Sequence, residues 1–233
     1  MSLFSPLWRR RPARDGRSLE SLLTEGFVAV DLETTGLDPR RDDIIEIAAV
    51  PFVDGRPQHA YVTRVDPGRP IPPESSRIHG ITDDMVVHAT TIGEALVKLE
   101  AVCGRRVLVG HGLAFDLAML TRARRAHRLP PVANPTIDIM RLAAALHPDW
   151  KRFGFDDVAT RMGIGILGRH SAEGDAVAAG ELLLALIPEI RDRGIRTVGD
   201  LVWLQEEWSV RATEVWVSLP PLVGKMFPRC RQN

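Results

Sequence analysis

Residues 27–38, FVAVDLETTGLD, set the tightest limit on how this chain can fold. Phe27 to Val30 are apolar without a break, the pattern of a strand buried on both faces inside a sheet. Asp31 and Glu33 follow one residue apart, so strand alternation points both carboxylates to the same face. Two carboxylates at the end of a buried strand repel each other and are costly to desolvate. Either solvent or a cation must offset that cost. Hard oxygen ligands suit Mg²⁺ or Mn²⁺, which keep waters or phosphate oxygens as their other ligands. By itself Asp-x-Glu is weak evidence, since about one match is expected by chance among this many acids.

A chain of 233 residues holds one full-sized domain with short extensions. Its 45% apolar and 26% charged residues are those of an ordinary globular protein. With a formal net charge of +0, nothing global favours nucleic acid or membrane, so any such preference must be local. One local bias is WRRRPARDGR, Trp8 to Arg17, which reads as a solvated basic arm. Another is RARRAHR, Arg122 to Arg128, which reads as the solvated face of a surface helix, with phosphate contact as its alternative. No apolar run reaches the length of a membrane span, and the first residues carry arginines without an apolar h-region, so no secretory leader is expected. Cys103 and Cys230 have no metal-site spacing, and a reducing cytoplasm is expected.

Three strands are expected first: FVAVDLE, DIIEIAAVPFV and PQHAYVTRV, the last two joined by Asp54-Gly55, a strong hairpin signal. DPGRPIPPESS (66–76) reads as loop. A helix over 91–102 opens on a capping box of Thr91 and Glu94. RRVLVG, a helix from Leu113, the strand NPTIDIM, MRLAAALHP, DDVATRMG and a long helix over 172–193 follow. The tail from Thr197 adds one more helix and carries Trp203, Trp208 and Trp216. This order predicts an α/β domain over 26–193: a mixed five-stranded sheet, with an antiparallel meander of three strands plus two parallel strands, flanked by helices. Residues 1–25 would be a basic arm with a short helix, and 194–233 a helical tail.

Further acids fall at sites of the same kind. VLVGHGLAFDLAMLT places Asp116 on the first turns of a helix directly after a buried strand, where the helix dipole also favours an acid. GRHSAEGDAVAAG places His170 before Asp175 at the start of a helix rich in small residues. His-x₄-Asp occurs three times, also as His79–Asp84 and His111–Asp116, so spacing alone does not choose among them. The third lies after the last strand, between a glycine-bearing loop and a long helix.

VDLETTGLD, HGLAFD and HSAEGDA, in this order, resemble the three motifs of the DEDDh 3′–5′ exonucleases, and within that family the proofreading epsilon subunits of bacterial DNA polymerase III. GRPIPPESSRIHGITDDMV resembles the segment which that family places between its first two motifs. The resemblance covers about residues 26–190 and implies a ribonuclease-H-like fold with two divalent metal ions, Mg²⁺ or Mn²⁺. It implies Asp31, Glu33, Asp116 and Asp175 as metal ligands and His170 as general base. It also implies that Thr34, Thr35, Gly36 and Leu37 receive the 3′-terminal nucleotide. Ile78, His79, Gly80, Ile81 and Phe115 would line its pocket, although Leu37 and Phe115 suit a core equally well. A sister class has tyrosine in place of the histidine; the one tyrosine here, Tyr61, lies in an early strand. One position departs from the pattern: the family's asparagine after the second-motif histidine is Gly112.

The resemblance implies hydrolysis at 3′ ends of single-stranded DNA, releasing nucleoside 5′-monophosphates in proofreading or repair. RNA as substrate stays open, as does a polymerase-associated binding subunit with a vestigial site. The implied partners are a nucleic-acid 3′ end and a DNA polymerase subunit, with no membrane.

Overall fold

The structure is a computed structural model that describes residues 15–217, with side chains described as far as Glu207. The basic arm before Asp15, the indoles of Trp208 and Trp216, and the chain after Val217 lie outside the described residues. Six strands form one sheet in the order β3-β2-β1-β5-β6, with β4 also pairing β2. The strands are β1 (Phe27–Thr34), β2 (Ile44–Val53), β3 (Arg56–Pro57), β4 (Tyr61–Arg64), β5 (Val107–Gly110) and β6 (Thr136–Asp138). β1 runs antiparallel to β2 and parallel to β5, and β5 runs parallel to β6.

The hairpin falls where Asp54-Gly55 places it, both residues at positive φ (51° and 69°), as a turn matched to the twist of its strands requires. Its return strand, expected as one run, is two. β3 pairs Phe52 and Val53, while β4 pairs Glu46 to Ala49. Between them stands Pro51. Its carbonyl accepts from the Gln58 amide on that flank, so its missing N–H faces the same way and the ladder breaks there. The sixth strand is the product of that break. The segment read as loop also contains a helix, α2 (Pro73–His79), with proline at its first turn where an absent N–H does no harm.

Strand alternation divides the core. Phe27, Ala29, Ala48, Val50, Phe52, Val107 and Val109 face a cluster built with α6 (Ile139–Leu146), α7 (Phe155–Met162) and α8 (Ala172–Asp192). Val28, Val30, Leu32, Ile47 and Leu108 face α4 (Ile92–Cys103) and α5 (Ala114–Ala126). Asp31 and Glu33 continue the series of Phe27 and Ala29, so they emerge on the α8 side. α8 lies close to the sheet because it carries Gly180, where a Cβ would sit 2.3 Å from the Phe52 ring. α4 opens on the expected capping box of Thr91 and Glu94.

The flanking segments share this core. Leu19 and Leu22 of α1 (Leu19–Thr24) lie in the α8-side cluster with Val198 and Leu201 of α9 (Val198–Val217). RARRAHR is not a purely solvated face. Arg124 is buried and pairs Glu100 at 2.8 Å, and Arg122 pairs Asp43 at 3.0 Å. These arginines fasten α5 to α4 and to the loop after β1. No helix among the described residues is long and apolar enough to cross a membrane.

Candidate active site

Three side chains converge where β1 ends against α8. Carboxylate oxygens of Asp31, Glu33 and Asp175 all lie within 4.8 Å of one another. β1 supplies two through its alternation. Asp175 comes from the first turn of α8, which Ser171 caps by accepting from the Gly174 amide at 3.2 Å. Glu46 on β2 accepts from the Ala172 amide at 3.3 Å, tying that helix start to the sheet. Glu46 also stands opposite Glu33 in the β1–β2 register.

The electrostatics are those of crowded acids. Burial first, then the charges of Asp116, Asp175 and Glu33, push Asp31 well above the ordinary carboxylate range. Burial, with Asp175 and Glu46 nearby, raises Glu33 to about 7. Asp116 rises to about 8, chiefly through burial, against hydrogen bonds from the backbone at its own position and at Leu32. Asp175 is also raised by burial, opposed by Arg169 and His170. Asp116 thus sits beside β1 and within electrostatic reach of Asp31, but outside the three-way cluster.

These residues fit divalent cations. The donors are hard carboxylate oxygens, and Asp175 Oδ1 is buried with no hydrogen-bond partner, while its Oδ2 pairs with Arg169. A buried, unpaired oxygen on a carboxylate that clusters with two more acids suits a cation ligand better than a structural hydrogen bond.

Of the three His-x₄-Asp pairs, one brings its aspartate into the cluster. His79 ends α2 while Asp84 lies in α3 (Asp83–Val86), bonded to Thr82. His111 packs tilted against Phe155 with ring centroids 4.8 Å apart, and its Nε2 lies 3.0 Å from the Phe153 carbonyl; burial pushes its pKa down. His170 stands next to the cluster with φ 63°, a left-handed backbone that a residue with a Cβ seldom adopts. A close approach holds it there: a Cβ on Gly174 would lie 2.3 Å from the Gly168 carbonyl oxygen and 2.4 Å from that of Leu167. Only glycine at 174 lets this loop seat on α8.

The remaining predicted positions divide by exposure. Thr34 and Thr35 are buried, and Ser75 of α2 donates to the Thr35 carbonyl at 2.8 Å, docking α2 on the floor loop. Arg69 braces the same loop through Thr35 Oγ1 at 2.7 Å and Asp43 at 2.6 Å. Leu37 and Ile78 project into solvent, at 87% and 60% exposure, as apolar side chains awaiting a contact would. Ile81 is core, Phe115 packs half-buried on the α4–α5 side, and Gly80 is the left-handed cap of α2. His79 Nδ1 accepts from the Ile81 amide at 3.0 Å, so the proton of the neutral ring sits on its buried Nε2, on the Thr34 side. Gly112 has φ 69°, and its amide donates to Asp138 Oδ1 at 3.0 Å; nothing lies within 4 Å of where a Cβ would point.

Sequence reasoning passed over Arg169, Asp138 and Gln205. Arg169 precedes His170, pairs with Asp175 and also reaches Asp156 at 2.9 Å. Asp138 anchors Gly112, and Gln205 of α9 holds Asp138 in turn: its amide accepts from the Asp138 N–H at 2.8 Å and donates to the Thr136 carbonyl at 2.6 Å. An arginine next to a motif histidine was a readable signal. For a glutamine 67 residues from its partner there was none.

A family model described as exonuclease, RNase_T, matches residues 28–183. A DNA polymerase III subunit epsilon-like protein of Rhodobacter capsulatus is 40% identical over 197 residues, 79% of this chain and 28% of that protein. A PolC-type DNA polymerase III of Lactococcus lactis is 34% identical over 167 residues, 72% of this chain and 10% of the polymerase. The chain therefore spans a minor part of these relatives. Among solved structures, exonuclease X in complex with 5′ overhanging duplex DNA superposes with a TM-score of 0.61 at 27% identity, covering 77% of this chain and 99% of that one. Escherichia coli exonuclease I, with a dT13 oligonucleotide, shares the fold with a TM-score of 0.62 at 19% identity, over 72% of this chain and 43% of that one. The sheet order, the acids it delivers and the family match together make this chain a member of the exonuclease family, with a ribonuclease-H-like fold.

Proposed function

We propose that the chain is a 3′–5′ exonuclease that hydrolyses phosphodiester bonds at the ends of single-stranded DNA and releases nucleoside 5′-monophosphates. The observation that carries this reading is the convergence of Asp31, Glu33 and Asp175 around a buried, unpaired carboxylate oxygen, with Asp116 alongside. DNA is favoured over RNA because the relatives include an epsilon-like polymerase subunit and exonuclease X was solved on DNA. A DNA polymerase subunit is the proposed macromolecular partner on the same ground.

Asp31, Glu33, Asp116 and Asp175 would hold two divalent ions, Mg²⁺ or Mn²⁺, which when bound supply charge for the attacking and leaving oxygens of an in-line displacement. The residues do the rest. The floor at Thr34, Thr35 and Gly36, braced by Ser75 and Arg69, takes the terminal sugar. Leu37 and Ile78 offer exposed apolar surface to the terminal base, and His79, Gly80, Ile81 and Phe115 are the further residues proposed for its pocket. His170 takes a proton from the attacking water: its ring is exposed beside the cluster, and the loop that carries it is seated on α8 at Gly174.

The test is digestion of a 3′-labelled single strand with and without Mg²⁺, beside Asp31→Ala, with mismatched duplex and RNA as further substrates. Mononucleotide release by the wild type, lost in the variant by about 10³-fold or more, is expected. Activity surviving in Asp31→Ala would sink the site assignment. Tight binding to a polymerase subunit without cleavage under Mg²⁺ or Mn²⁺ would favour a vestigial site.

A further inference from the structure

We propose that Arg169 grips a phosphate of the substrate strand beside the acid cluster, a role that rests on the nuclease reading above. Among the described residues it is the one cation in ion-pair contact with that cluster. Its guanidinium is fixed on three sides. Nη1 pairs with Asp175 Oδ2 and lies 3.3 Å from His170 Nδ1. Nε donates to Asp156 Oδ1 at 2.9 Å, and the guanidinium carbon sits 5.0 Å from the centre of the Phe155 ring.

Two features separate this arginine from a plain counter-ion. Its bond to Asp175 uses Oδ2, while Oδ1 of the same carboxylate is buried and takes no hydrogen bond, so one oxygen stays available to a cation. Its own Nη2 donates to no protein group among the described residues, and the side chain keeps 29% of its surface accessible. A planar fork with spare donors, already immobilised, suits a phosphate oxygen better than a mobile lysine would.

Charge points the same way. The positive charge of Arg169 opposes the burial of Asp31, Glu33 and Asp175 alike, so it lies within reach of all three. Two divalent ions would offset the four acids and leave a phosphodiester anion unmatched. In-line displacement adds negative charge to the phosphoryl oxygens, where a preorganised cation is most effective.

The experiment uses the full chain and its Arg169→Gln and Arg169→Lys variants. Binding of a fluorescent single-stranded oligonucleotide is followed by anisotropy across a salt titration, with Ca²⁺ in place of Mg²⁺, and Mn²⁺ binding is measured separately by calorimetry. Arg169→Gln should weaken binding about tenfold and lower the salt slope by about 0.7, the value of one single-strand phosphate contact. Arg169→Lys should restore the slope but not kcat, and Mn²⁺ affinity should hold within about twofold in both, since Oδ1 is untouched. An unchanged slope in a folded Arg169→Gln overturns the proposal, as does Mn²⁺ affinity falling in step with DNA affinity. If the glutamine variant does not fold, a lowered slope in Arg169→Lys overturns it equally. A wild type that neither binds nor cleaves DNA would instead refute the function proposed for the whole site.

Discussion

Gly174→Ala isolates the seating of the loop that carries His170. A Cβ at this position would lie 2.3 Å from the Gly168 carbonyl oxygen and 2.4 Å from that of Leu167, and both are backbone atoms that no rotamer change can remove. Carbon and carbonyl oxygen approach to about 3.3 Å, so loop and helix must part by roughly 1 Å. Overpacking of this kind costs about 1–3 kcal/mol, while helix propensity alone favours alanine by about 1 kcal/mol. The displacement falls on Gly168 to His170 or on the first turn of α8, and either way His170 and Asp175 move apart. A shift of about 1 Å at reacting groups can lower kcat about 10²-fold. The assay is kcat for Mg²⁺-dependent digestion of a single strand, beside the melting temperature. Gly180→Ala is the matched control: its Cβ would meet the Phe52 ring at 2.3 Å, on the same helix but away from the acids. Both variants should melt a few degrees lower, at about 2–4 °C per kcal/mol, and only Gly174→Ala should lose kcat. Wild-type kcat in Gly174→Ala, or equal losses in both variants, would refute the reasoning.

Two more outcomes follow from the crowded acids and from the sheet edge. Glu33, raised from 4.5 to about 7, holds its proton more tightly folded than unfolded, so its contribution to stability is full below about pH 4.5 and is lost as pH rises through 7. In EDTA the melting temperature should fall over that window, less steeply in Glu33→Gln, and Mn²⁺ should remove much of the decline; a curve that rises there in wild type would contradict this origin. Gln205→Leu leaves the Asp138 N–H and Thr136 C=O unpaired on the outer edge of β6, for about 1–3 kcal/mol each, read by urea unfolding. No change in midpoint would show that the edge finds another partner.

Much of the architecture was legible because it follows from short-range regularities. The apolar run of β1, the period-two placement of Asp31 beside Glu33, the Asp54-Gly55 turn and the Thr91–Glu94 cap each depend on residues a few positions apart. The split of the return strand was within reach of the same logic. Its cause, Pro51, sits on the partner strand, where a missing donor is felt only once the pairing is known.

What the chain alone determined is therefore the kind of site: hard acids delivered by a buried strand and by two helix starts, with a histidine in the last loop. Three His-x₄-Asp pairs were equal in spacing, and order and context favoured the third. Packing separated them: of the three helices that carry these aspartates, α8 is the one that packs on the face where Asp31 and Glu33 emerge. The tertiary structure alone decided that Glu46 would anchor α8 across 126 residues, that Arg124 would be buried, and that Gln205 would close the sheet edge. It also decided that Arg169 would share Asp175 without taking its inner oxygen. Such contacts carry no local period, since each is formed when distant segments meet and a polar atom must find a partner or remain unpaired.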